Sequence, residues 1–153
     1  EEQWDSAVLP NAREKASFLK ENILPMEESG RLNKIQSSDY DKEWLPSIEF
    51  DVVFGHTTGM LIPKIKVEGK TLVFCADLLP SISHFKTPYV MGYDIRPLET
   101  MKETQKLLTE AYENDYILFF EHDPQVECAT VTKSEKGYFE VKEILTLSQA
   151  LNI

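Results

Sequence analysis

Residues 70–81, KTLVFCADLLPS, decide how the rest of the chain is read. Thr71 to Cys75 form a mostly apolar, strand-like run, and Asp77 closes it ahead of Leu78, Leu79 and Pro80. A strand that delivers one coordinating side chain where the backbone leaves the core is a common way to mount chemistry on a rigid scaffold. The arrangement recurs twice. In DVVFGHTTGM, residues 51–60, an apolar run breaks at Gly55 and presents His56. In YILFFEHDP, residues 116–124, the run ends on His122. Two imidazoles and a carboxylate are the donors that suit Zn²⁺, Mn²⁺ or Fe. They lie too far apart to be a local motif, so only the fold can unite them.

Around these runs the pattern is mixed α and β. Ala12, Ala16, Leu19 and Ile23 recur at helical spacing, so one helix is expected from Asn11 to Leu24, ended by Pro25. A shorter helix is expected in the first eight residues. A short strand is expected at Leu32 to Ile35, and another over residues 48–54. MLIPKIKVEGKTLVFCAD reads as a hairpin turning at Glu68-Gly69-Lys70, with Pro63 marking its first strand as an edge or bulged one. RPLETMKETQKLLTEAYEND is the strongest helix, with Leu98, Met101, Leu108 and Tyr112 on one face. Residues 116–120 read as a buried strand. Cys128 to Thr132 and Tyr138 to Ile144 read as a final hairpin. The sum is one domain, or half of a two-sheet domain.

The 153 residues carry a formal charge of −10, with 42% hydrophobic and 27% charged residues. That charge disfavours a nucleic-acid or anionic-membrane surface, which needs clustered Lys and Arg. No apolar run approaches the length of a membrane span. Cys75 and Cys128 have no zinc-finger or CxxC spacing and are expected to be buried free thiols. A reducing, cytoplasmic location follows as the expectation. The chain opens on Glu1-Glu2-Gln3 without a methionine, so it is expected to be part of a longer protein.

FGHTTGM, KTLVFCADLLPS, GYDIRPLET and FFEHDP, in that order, resemble the second half of a metallo-β-lactamase superfamily protein. The resemblance covers about residues 1–145. It implies an α+β fold, the carboxy-terminal half of an αββα sandwich, with residues 1–153 as a single incomplete domain lacking the amino-terminal HxHxDH half. On those motifs His56, Asp77 and His122 correspond to metal ligands, Asp77 being the carboxylate that bridges two ions. The implied cofactor is zinc, one or two ions in the complete protein, with other divalent metals as alternatives. The implied activity is hydrolysis of an ester, lactone or thioester-type small molecule. There the metal lowers the pKa of water towards ~7 and polarises a carbonyl.

Two departures stand out. Ala76 occupies the place of the family's usual glycine before the bridging Asp. HxHxDH is absent, because the only histidines are His56, His84 and His122. The chain alone is therefore expected to be inactive, and to pair with the missing amino-terminal half or as a homodimer. The alternative is a non-catalytic domain of this fold serving binding or assembly. His84 reads either as a pocket residue or as a loop-stabilising one. Thr57 is a candidate for hydrogen bonding near the metal. Asp123 is a candidate ligand-orienting acceptor or a turn former before Pro124. Asp94, just before a helix, reads either as stabilising the dipole of that helix, the preferred reading, or as a residue of the site. Trp4 and Trp44 are assigned to packing.

Overall fold

Apolar residues from Ile48 onward build the first of six strands, β1 (Ile48–Val53), followed by β2 (Met60–Val67), β3 (Lys70–Phe74), β4 (Ile117–Phe119), β5 (Cys128–Lys133) and β6 (Phe139–Leu145). Among the described residues, four α-helices accompany them: α1 (Glu2–Val8), α2 (Lys20–Glu28), α3 (Pro97–Glu113) and α4 (Leu147–Leu151). The structure is a computed structural model that describes residues 1–39 and 45–152. Trp44 lies outside the described residues.

The strands form one sheet in the order β1-β2-β3-β4-β5-β6. Every neighbouring pair is antiparallel except β3 with β4, which is parallel. A parallel pair needs a crossover, and α3 lies within it. One consequence positions everything below. Because β2 opposes both β1 and β3, and β4 runs with β3, strands β1, β3 and β4 all point the same way. Their carboxy ends leave the sheet along one edge, with β3 between the other two.

α3 covers one face of the sheet, where Leu107, Leu108 and Ala111 meet Ile62, Val73 and Leu118. The opposite face buries Leu72, Ile117 and Cys128 against Ala150 of α4. Lys64 is buried with the core and bonds Asp51 at 2.5 Å and Glu110 at 2.6 Å, joining β1, β2 and α3. Burial works against its charge, but the two carboxylates outweigh that and hold its pKa above the usual value. At the β1–β2 end, Trp4, Ile23, Met26, Phe50, Val52 and Leu61 help line a cavity of about 360 Å³.

Glu2 ties α1 to the segment after α2. Its carboxylate accepts Ser37 N–H at 3.0 Å and Ser37 Oγ–H at 2.5 Å. The serine hydroxyl, helped by the backbone amides, draws the pKa down to about 2 from 4.5. A depressed carboxyl stabilises the fold above its unfolded pKa and loses that contribution as protons bind. The docking of α1 is therefore expected to be complete above pH 4.5 and to weaken as pH falls towards about 2. Trp4 fluorescence reads the transition, and Glu2→Gln should abolish it.

Several local readings need correction. Instead of one helix from Asn11, the chain makes a single 3-10 turn at Glu14–Ala16 and then α2, with Pro25 inside α2. Asn11 Oδ1 accepts the amides of Arg13 at 2.9 Å and Glu14 at 3.1 Å, a side-chain turn that competes with a continuous helix. Residues 32–35 form no strand. Strand β2 is internal rather than an edge, but its ladder with β3 stops at Lys64, so Pro63 ends that ladder while still pairing with Phe50 of β1. α3 buries Thr100, Thr104, Leu107, Leu108 and Ala111, while Leu98 is 73% exposed. α4 is an addition, started by a capping box in which Thr146 Oγ1 accepts Gln149 N–H and Gln149 Oε1 accepts Thr146 N–H.

Candidate functional site at the sheet edge

His56 follows β1, Asp77 follows β3 and His122 follows β4, so the shared direction of these strands carries all three to one edge. Asp77, from the middle strand, stands between the two histidines. His56 Nε2 lies 3.3 Å from Asp77 Oδ2, and His122 Nε2 lies 3.1 Å from Asp77 Oδ1. Each carboxylate oxygen faces a different imidazole. His56 is buried, whereas the His122 side chain is 53% exposed.

The other ring nitrogen of His56 is also engaged. Nδ1 lies 2.8 Å from Asp94 Oδ1, and the Asp94 side chain is fully buried. Asp94 is thus an imidazole partner rather than the helix-dipole residue expected. Burial alone would lower the pKa of His56, but the hydrogen bonds to Asp77 and Asp94 reverse this and raise it to about 9. The bond from His56 in turn draws Asp77 below the usual carboxylate range, against its own partial burial.

The backbone at His56 is held by α3 and its lead-in. Arg96 N–H donates to Gly55 O at 2.9 Å and Ile95 N–H to His56 O at 3.2 Å. Arg96 Nη1 donates to Phe54 O at 2.7 Å. Glu103 accepts Phe54 N–H at 2.7 Å and Gly55 N–H at 2.9 Å. Burial pushes the Glu103 carboxyl up, opposed by those two amides. Gly55 is required by this approach: a Cβ there would lie 2.3 Å from Thr100 N.

Asp77 sits in a 3-10 turn, Ala76–Leu78, entered through Ala76 at φ 43°. That is left-handed backbone, which explains why a glycine suits this position and makes Ala76 a strained substitute. Ala76→Gly is expected to stabilise the fold by roughly 1 kcal/mol, read from urea midpoints.

The remaining candidates are placed as follows. Asp123 accepts amides from Ile82 at 3.1 Å, Gln125 at 3.0 Å and Val126 at 2.9 Å, joining two site loops as a turn former. Burial would raise its pKa, and these amides lower it instead. His84 Nδ1 lies 2.9 Å from Ser81 Oγ within its own loop. Thr57 is buried beside His56, and its hydroxyl and Asp94 Oδ2 have no hydrogen-bond partner among the described residues. Cys75 and Cys128 are free and buried. Sequence reasoning missed Glu103, whose only signal is an acidic residue two turns into a helix. For Asp94 the signal is the carboxylate in GYDIRP, which suits the dipole of the following helix as well as a role in the site.

Among the described residues, no group of three or more His, Cys, Asp or Glu is arranged to hold a metal ion. The geometry gives the reason: the donors meet in pairs, His56 with Asp77 and Asp77 with His122. The donor set nevertheless fits a metal. Asp94 can keep a proton on Nδ1 of His56, so Nε2, on the side of Asp77, is the nitrogen that a metal would take in place of a proton.

Solved structures share this architecture. The chain resembles a protein described as a probable metal-dependent hydrolase from Staphylococcus aureus, with a TM-score of 0.76 and 23% identity over 93% of this chain and 48% of that one. It resembles the hydrolase AbOPH of the β-lactamase superfamily, with a TM-score of 0.71 and 19% identity over 94% of this chain and 52% of that one. It also resembles AidC, a dizinc quorum-quenching lactonase in complex with its product, with a TM-score of 0.66 and 19% identity over 94% of this chain and 53% of that one. The chain spans about half the length of these proteins. No family model and no curated protein matches the sequence. The chain therefore has the fold of about half of each of these structures, an α+β arrangement around a mixed six-stranded sheet. Among the described residues no helix is long and apolar enough to cross a membrane.

Proposed function

We propose that this chain supplies one part of the active centre of a metal-dependent hydrolase, with His56, Asp77 and His122 as metal donors. The observation that carries this reading is the division of Asp77, one oxygen towards each imidazole. Zinc, as one or two ions, is the cofactor the donor set suits best. The substrate class is an ester, lactone or thioester. The likeness to a dizinc lactonase supports both choices. When bound, the metal supplies Lewis acidity that polarises a carbonyl and acidifies water. The chain's own residues do the rest. Asp94 holds the proton at His56 Nδ1 and orients the ring. Asp77 stays anionic at neutral pH. His122 stands on the solvent side, where a substrate would enter.

A catalytic zinc usually has three protein donors. This chain offers a pair on each side of Asp77, so the reading has residues 1–153 as an incomplete domain, inactive alone, whose remaining donors come from elsewhere in a longer protein or from a partner copy. The two buried thiols suit a reducing compartment such as the cytoplasm. A second reading, a non-catalytic binding or assembly domain, is favoured by the lack of a three-donor group among the described residues. The full-length protein separates the two. At least one zinc per chain and metal-dependent hydrolysis of an acyl homoserine lactone or an activated ester are expected. A folded protein that takes up no zinc and hydrolyses neither leaves the second reading in place.

A further inference from the structure

We propose that Glu103 is a positioning residue: its two carboxylate oxygens, one on the amide of Phe54 and one on the amide of Gly55, set the orientation of the His56 imidazole. The backbone polar groups around the imidazole are gripped from opposite directions. Arg96 holds Phe54 O and Gly55 O, and Ile95 holds His56 O. Glu103 holds the two amides that precede His56. The imidazole itself has two fixed acceptors, Asp94 Oδ1 and Asp77 Oδ2, on different segments. A ring meets both only if its Cα is held at one height and angle. Glu103 is the side chain that holds the incoming amides, and it does so from the second turn of α3, on the same element as the Thr100 backbone that abuts Gly55.

The chemistry of the clamp is specific. Both partners of Glu103 are N–H donors, so two acceptor oxygens are required. A glutamine fits the same space but turns its NH₂ towards one of those donors. Packing alone would tolerate Glu103→Gln, whereas positioning would not. Retaining a half-buried carboxylate here, where burial disfavours its charge, also indicates that geometry is what it serves.

The consequence for activity rests on His56 being a metal donor, but the positioning itself does not, and the test separates the two. The full-length protein, stripped of metal with a chelator, is labelled with ¹⁵N-histidine, and the His56 signals are identified by their loss in His56→Gln. Glu103→Gln is expected to move the His56 Nδ1–H resonance while the His122 ring signals stay in place. Lys102→Ala, exposed on the same helix, should move neither. A folded Glu103→Gln protein with unchanged His56 signals overturns the proposal, and so does a lowered melting temperature without displacement of those signals. Should Glu103→Gln not fold, Arg96→Gln removes the opposing grip on Phe54 O. With the Glu103 clamp intact its His56 signal is expected to stay near the wild-type position, and a displacement as large as loss of the site's geometry would give assigns the positioning to Arg96 and overturns the proposal. On adding cobalt, Glu103→Gln is expected to bind roughly 10-fold more weakly than wild type. A wild-type protein that binds no cobalt defeats the metal reading, while the ring signals still decide the role of Glu103.

Discussion

Gly55→Ala is expected to destabilise the protein by roughly 3 kcal/mol or more, the upper end for overpacking a close contact. The new methyl would lie 2.3 Å from Thr100 N, 2.4 Å from Thr100 Oγ1 and 2.6 Å from Thr100 Cα. Two of those three atoms are backbone, inside the first turn of α3. A flexible side chain could swing away, but a helix cannot without breaking the bonds that Arg96, Ile95 and Glu103 make to residues 54–56. Thr100→Ala removes the hydroxyl and the γ-methyl but leaves the backbone N and Cα in place, so the double variant should recover a minor part of the loss. Urea midpoints of the four proteins in this cycle measure it. A Gly55→Ala protein as stable as wild type would show that α3 does not press on this loop.

If the protein is the metal-dependent hydrolase proposed above, Asp77→Ala is expected to have the largest functional effect, lowering metal affinity and hydrolytic kcat/KM roughly 100-fold or more. One substitution deletes both oxygens, so His56 Nε2 and His122 Nε2 lose their common partner together. His56→Ala and His122→Ala each leave one donor pair intact and should cost less than Asp77→Ala. Asn at the same position keeps the shape but removes the anion and faces one imidazole with an NH₂ group, so it is expected to resemble alanine in metal content. Zinc analysis after dialysis, alongside steady-state kinetics, reads both effects. Wild-type zinc content in Asp77→Ala would remove Asp77 from the centre of the site.

Much of this was legible because apolar runs ending in one donor are a local signal. Val52-Val53-Phe54, Thr71 to Cys75 and Tyr116 to Phe120 announce themselves without reference to the rest of the chain. The Glu68-Gly69 turn is equally local, since both residues adopt positive φ. What stayed hidden depends on contacts between distant segments. The face of α3 is set by how closely its first turn approaches Gly55, which is why Thr100 and Thr104 are buried and Leu98 is not. Thr104 Oγ1 finds an acceptor in Leu78 O at 3.1 Å, a partner no periodicity reveals. Asp94 lies near a helix start, where the dipole offers an adequate explanation until the buried imidazole is seen beside it. The break after Ala16 and the capping box at Thr146 were readable in principle from Asn11 and from the Thr146–Gln149 spacing, but apolar periodicity outweighed one and the short length of α4 concealed the other.

The β2–β3 hairpin tip has a practical use. Glu68 and Gly69 reverse the chain at the opposite end of β3 from Asp77, and no atom outside the turn lies within 4 Å of where a Gly69 side chain would begin. An affinity tag or fluorescent reporter inserted between these two residues would extend into solvent. Immobilised through that handle, the protein would present the rim that carries His56, Asp77 and His122 outward, away from the supporting surface.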